Sequence, residues 1–146
     1  MCPLPTALCH PPSPPDGFTL SFPPQPEWVR TARHAVRTAL LGSAACKPEL
    51  TETATLLTSE AVSNAVTASL NSRCPDPVLV QALWARDGGI QILVRDGARG
   101  LPVPPAGFPS PDAEHGRDLL MIDLFATAWG ICTHTLGHGK AVWFCL

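Results

Sequence analysis

Leu56-Leu57-Thr58-Ser59-Glu60-Ala61-Val62-Ser63-Asn64-Ala65-Val66 is the stretch around which the chain is organised. Apolar residues at helical spacing, with no glycine or proline among them, predict a helix, and Leu57, Ala61 and Ala65 recur every fourth residue as its buried stripe. Glu60 and Asn64 are also four apart, so a carboxylate and a carboxamide share one face beside that stripe. Taken alone, such a pair is more often a solvated polar face than a working one. Its meaning depends on what the rest of the chain brings to it.

The helix extends upstream to Pro48, a residue suited to a first helical position, and downstream to about Leu70. Before it, Val29, Ala32, Val36, Ala39 and Leu40 alternate with Arg30, Arg33 and Arg37, which predicts a second amphipathic helix from about Pro26 to Gly42. Phe18-Thr19-Leu20-Ser21-Phe22 alternates as a short edge strand does, and Pro23-Pro24 stops it. Of the 17 prolines, six fall at positions 3, 5, 11, 12, 14 and 15. So many fixed φ angles and missing amide donors rule out a helix or a paired strand there, and residues 1–16 are expected to be a disordered or extended tail ahead of one domain over residues 17–146.

Downstream, Val78 to Trp84 and Ile90 to Val94 are rich in β-branched and aromatic residues, and Asp87-Gly88-Gly89 joins them as a hairpin. Arg95-Asp96-Gly97-Ala98-Arg99-Gly100-Leu101-Pro102 then opens a proline- and glycine-rich segment to about Glu114, long for a connector and of the kind that serves as a lid. His115-Gly116-Arg117-Asp118 leads into a third helix reaching Ala128. Ile131 to Leu136 and Lys140 to Leu146 form a second hairpin around Gly137-His138-Gly139. The order predicts a two-layer α/β sandwich, a mixed sheet carrying about three helices on one face.

At 146 residues and 45% hydrophobic content the chain can bury one core. A net charge of −2 supplies no basic stripe for a phosphate backbone, which excludes nucleic acid as the expected partner. No apolar run is long enough to span a bilayer and no export signal opens the chain, so a soluble cytoplasmic protein without membrane contact is expected. The six cysteines form no C-x-x-C pair and no zinc-type spacing with histidine, and are expected to be free thiols.

Three further places suit a ligand. Asp96, closing a buried strand ahead of Gly97, is an acceptor-only group fit for an exocyclic amine; a plain strand-to-loop turn has the same composition. Gly116 and Arg117 stand at a helix start, where free amides favour an anion. Gly137-His138-Gly139-Lys140 lacks the phosphate-loop frame and precedes a strand, so it is a hairpin turn.

The order of these pieces is similar to a known family. Glu60-x-x-x-Asn64 in a helix, Asp96-x-x-x-Gly100-x-Pro102 after a strand, Gly116-Arg117-Asp118-Leu119 at a helix start, then Trp129-Gly130 and Gly139-Lys140-Ala141-Val142-Trp143, resemble the N, G1, G2 and G3 boxes of the GHKL ATP-binding superfamily. The match is nearest the small anti-sigma-factor serine/threonine kinases and related actinobacterial ATP-binding regulators, over about residues 17–146. The resemblance implies a Bergerat-type sandwich that binds ATP with Mg2+ beneath a lid. By position, Asn64 would ligate Mg2+ and Glu60 would be the base that activates the acceptor hydroxyl. Asp96 would hold the adenine amine above Gly100, and Gly116 and Arg117 would lie against the phosphates.

The implied activity is transfer of the γ-phosphoryl group to a serine of an anti-sigma-factor antagonist, with that antagonist or a sigma factor as partner and a homodimer as the implied assembly. The alternative is a catalytically weak module of the same fold that sequesters its partner. The departures from the family pattern bear on that choice: Asp118 stands where a glycine is expected, Thr67 and Ala68 where a basic residue and a histidine are frequent, Ala98 replaces a loop glycine, and Ala141 replaces a threonine found near the adenine. Each removes a cation, a donor or backbone freedom, or adds a negative charge near the phosphates.

Overall fold

A computed structural model of the protein describes residues 17–72, 75–85, 87–98, 117–133 and 139–146. The chain runs β1 (Gly17–Phe22), α1 (Glu27–Leu41), α2 (Pro48–Leu70), β2 (Val78–Trp84), β3 (Ile90–Asp96), α3 (Arg117–Phe125), β4 (Ala128–Thr133) and β5 (Lys140–Cys145). The strands form one sheet in the order β1-β2-β3-β5-β4. The proline-rich residues 1–16 lie outside the described residues.

Every pairing in the sheet is antiparallel. This corrects the mixed sheet expected from the sequence. Two helices separate β1 from β2, and an even number of helices returns the chain to the end it left, so β2 runs back alongside β1. A single helix separates β3 from β4, which therefore point the same way, but β5 inserts between them and pairs antiparallel with both. The parallel contact implied by one crossover helix is thus never made.

Periodicity explains the helices. In α1 the buried residues are Ala32, Val36 and Leu40, four apart, while Arg30, Arg33 and Arg37 are exposed. α2 buries about half its circumference, including Leu57, Ala61 and Ala65 as expected, and also Thr51, Thr55 and Thr58. Hydroxyl groups enter this core because two of them are satisfied within the helix: Thr55 Oγ1 donates to the Thr51 carbonyl and Thr58 Oγ1 to that of Ala54, both at 2.7 Å. α1, α2 and α3 lie side by side across the sheet, α1 toward β1, α2 over β2 and β3, and α3 toward β4.

Alternation sorts the strands into two faces. Val78, Val80, Ile92, Val94, Val142 and Phe144 face the helices, and fully burying each stabilises the fold by about 1.5–3 kcal/mol. On the other face Leu93, Ala141, Trp143 and Cys145 form a second buried group, with Ala128 and Cys132 packed against it. Gly130 belongs to that face because a β-carbon there would stand 2.7 Å from the Trp143 ring.

Two sequence expectations change here. The last helix stops at Phe125, and β4 begins at Ala128 rather than Ile131. The switch is fixed by Thr127, whose amide already donates to the Cys145 carbonyl at 2.8 Å and so starts the β4–β5 ladder. Among the described cysteines only Cys46 is a free thiol; Cys132 and Cys145 are disulfide-bonded. Cys132 stands opposite Ala141 and Cys145 opposite Ala128, too far apart along the strands to bond to one another.

Candidate functional site

Asp96 is the last residue of β3 and pairs across the ladder with Lys140, the first residue of β5. By strand parity Asp96 shares the helix-facing side with Ile92 and Val94, and Lys140 shares it with Val142 and Phe144. Both side chains are buried, 4% and 6% exposed, so neither charge is met by bulk water. They meet each other instead: Lys140 Nζ lies 3.0 Å from Asp96 Oδ1 and 3.0 Å from Oδ2. The Ala98 amide also donates to Oδ1, at 2.8 Å.

Burial holds the Asp96 carboxyl above its ordinary value, and the hydrogen bond and charge of Lys140, with the Ala98 amide, pull in the opposite direction. Gly139 makes the approach of the strands possible. Its φ of +125° lies outside the range favoured by side-chain-bearing residues, and a β-carbon there would sit 2.5 Å from the Asp96 carbonyl oxygen.

This end of the sheet is also where the second half of α2 arrives. Ser69 Oγ donates to the Asp76 carbonyl at 3.0 Å, just before β2 begins, and Leu79 near the start of β2 pairs with Arg95. On α2 itself Glu60 and Asn64 are half-buried, between the core stripe and the solvent face. Glu52 marks the shoulder turned toward α1, since it accepts from Arg37 at 2.9 Å. Helical geometry puts Glu60 about 80° and Asn64 about 120° around the axis from Glu52, away from the side that meets α1. Helix α3 is seated by buried Leu119 and Ile122 and tied to β4 by the Trp129 indole, which donates to Asp123 at 2.8 Å. The Asp96–Lys140 pair on the strand ends thus lies at the end of the sheet reached by the second half of α2, the half that carries Glu60 and Asn64.

Of the other residues singled out from the sequence, Gly100 and Gly116 lie outside the described residues. Arg117 opens α3, but its side chain, like that of Asp118, lies outside them too. Ala141 moves away from the role its sequence position suggested. It faces the opposite side of the sheet, with Leu93 and Trp143, and so does not border this site. The helix-facing neighbour of Asp96 is Lys140, a residue that sequence reasoning placed at the start of the last strand without giving it a role in the site. Strand parity was the signal available for it, because Lys140, Val142 and Phe144 alternate on one face.

Among the described residues no three His, Cys, Asp or Glu side chains gather as a metal-binding group, and no helix is long and apolar enough to cross a membrane.

The model of the histidine kinase-like ATPase domain family matches residues 22–146. No curated protein matches the sequence. Among solved structures, the chain is similar to a crystal structure of the RsbU and RsbW domains of a Mycobacterium tuberculosis protein, at a TM-score of 0.67 and 18% identity, covering 92% of this chain and 32% of that one. At that identity the likeness concerns the fold, and the chain spans about a third of the length of the protein it matches.

Proposed function

The chain belongs to the histidine kinase-like ATPase domain family, and we propose that it is a cytoplasmic ATP-binding regulator that phosphorylates a serine of a small anti-sigma-factor antagonist. The observation that carries this reading is that Glu60 and Asn64 lie half-buried four residues apart on α2 while Asp96 closes β3 on the helix-facing side of the sheet. In this reading the first two are a phosphate-handling pair and the third a base-reading carboxylate.

In this reading Asn64 offers its side-chain oxygen to Mg2+, and Glu60 takes the proton of the acceptor serine as that hydroxyl oxygen bonds to the γ-phosphorus. ADP leaves with the electron pair of the broken bond. Bound Mg2+ supplies charge neutralisation on the phosphates, the larger part of what phosphoryl transfer requires. Asp96 accepts from the adenine amine, and Gly100, Gly116 and Arg117 border the nucleotide from the segment leading into α3. A carboxamide and a carboxylate one helical turn apart suit this division of labour, since positioning rather than covalent chemistry is asked of the protein.

The test is direct. Wild-type protein with Mg-ATP and a serine-bearing antagonist is expected to yield phosphoserine. Glu60→Gln is expected to bind ATP and transfer nothing, and Asn64→Ala to lose the Mg2+-dependent part of binding. Transfer undiminished in Glu60→Gln would remove Glu60 from the chemistry. A second reading, nucleotide binding coupled to partner sequestration without transfer, is favoured by Asp118, an anion in the first turn of α3. ATP binding without phosphoserine in the wild type would decide for it.

A further inference from the structure

The face of the sheet turned away from the helices is closed to water. Leu93, Ala141, Trp143 and Cys145 on that face are only 2–5% exposed, yet the described residues packed against them, Leu79, Ala128 and Cys132, are all strand neighbours in the same sheet. Side chains on a sheet stand roughly perpendicular to it, so lateral neighbours shield their flanks and leave their tips open. A Trp143 ring this buried therefore needs a cover above it. Two buried donors on the same face, Trp143 Nε1 and Gln91 Nε2, have no acceptor among the described residues. A cover that suits them is mostly apolar and carries unpaired carbonyl groups.

The cysteines limit where that cover comes from. Cys132 and Cys145 are disulfide-bonded, they stand too far apart to bond to one another, and Cys46 is a free thiol. Within one chain that leaves Cys2, Cys9 and Cys74 to serve two bonds. Cys74 stands two residues before Asp76, whose carbonyl accepts from Ser69 just ahead of Val78. Val78 pairs with Phe22, whereas Cys145 is aligned through Gln91 and Leu83 with Gly17, at the opposite end of β1. The five residues from Val78 to Leu83 put about 17 Å between those two rows, more than two residues and a disulfide can cross. From Gly17 the distance to Cys145 is three strand spacings, about 14 Å, and the eight residues back to Cys9 reach about 26 Å.

We infer that residues 1–16 are a strap across the outer face of the sheet, lying over Trp143 and fastened by a disulfide from Cys9 or Cys2 to Cys145. Their composition suits the task. Apart from Asp16 they hold no charged side chain, and Leu4, Ala7 and Leu8 can meet Leu93 and Trp143. Their six prolines contribute carbonyls without amides, so acceptors remain for the Trp143 and Gln91 donors, as they do where proline-rich segments dock on aromatic side chains. Fastening is a thiol–disulfide exchange with a low-molecular-weight disulfide. One cysteine thiolate attacks it and expels one thiolate, and the second cysteine attacks the mixed disulfide and expels the other; two protein thiols are oxidised and one small disulfide is reduced to two thiols. A reducing compartment reverses the exchange and bares the apolar face around Trp143, so the strap responds to thiol redox state.

The experiment uses the full chain equilibrated with oxidised glutathione, alkylated and digested with trypsin without reduction. Mass spectrometry is expected to find the fragment Ala141–Leu146 joined to Met1–Arg30. Hydroxyl-radical labelling of Trp143 is expected to rise severalfold when the same protein is reduced, and to be equally high in Cys2→Ser/Cys9→Ser kept oxidised. The mapping and the redox comparison need only wild-type protein, so they stand where the variant folds poorly. Cys145 joined to Cys74, or recovered alkylated, would overturn the inference. Two copies of Ala141–Leu146 joined to one another would also overturn it, making a second copy of the chain the cover. The expected disulfide with Trp143 labelling unchanged on reduction would refute the strap as the cover of this face.

Discussion

Lys140 and Asp96, 44 residues apart in the chain, hold their charges 3.0 Å from one another at the paired ends of β5 and β3, and both are almost wholly buried. Two ions removed from water cost several kcal/mol each, a cost their attraction offsets only while both are present. Lys140→Met or Asp96→Leu alone is therefore expected to destabilise the fold by about 3–5 kcal/mol, and the two together by much less. Urea denaturation of the four proteins measures this. Additive single effects would show that the charges do not depend on one another.

The pH dependence has a definite sign. Burial raises the folded-state pKa of Asp96 above the ordinary 3.8, so between 3.8 and the raised value the folded chain binds more protons than the unfolded one. Stability contributed at this position is then fully present below 3.8 and declines as pH rises through the raised value. Measured from pH 3 to 7, the stability of wild type relative to the Asp96→Leu/Lys140→Met double variant is expected to fall with pH across that window and then level off. A relative stability that rises with pH would mean that Lys140 outweighs desolvation.

Gly139 is the backbone condition for that ion pair. Gly139→Ala is expected to cost about 2 kcal/mol or more, since it combines a strained φ with a contact to the Asp96 carbonyl. Thermal unfolding followed by circular dichroism gives the loss, and nucleotide affinity should fall with it as the Asp96–Lys140 geometry is displaced. An unchanged melting temperature would contradict the close approach of the two strands.

Asp118 stands in the first turn of α3, next to Arg117. Neutralising it by Asp118→Asn is expected to raise ATP affinity about two- to fivefold at low ionic strength, the range of a single solvent-screened charge interaction. The gain should shrink as added salt screens it. A gain independent of salt would point to a steric rather than an electrostatic effect.

The local elements were legible because their causes are local. Helical spacing from Val29 to Leu40 and from Leu57 to Ala65 marked α1 and the buried stripe of α2, and Asp87-Gly88-Gly89 marked the β2–β3 hairpin. The shared shoulder of Glu60 and Asn64 follows from 3.6 residues per turn alone. The border between α3 and β4 was less legible, since Ala126, Thr127 and Ala128 suit either state and the Thr127–Cys145 hydrogen bond decides between them.

By itself, then, the sequence determined the periods, the hairpins, and the order of residues able to hold a nucleotide, because each depends on neighbours a few positions away. Only the tertiary structure decided that β5 lies between β3 and β4, that Ala141 turns to the outer face, and that Lys140 meets Asp96 across the ladder. Those outcomes depend on strand register between segments distant in sequence, and a shift of one residue in β5 would exchange Lys140 for Ala141 beside the carboxylate.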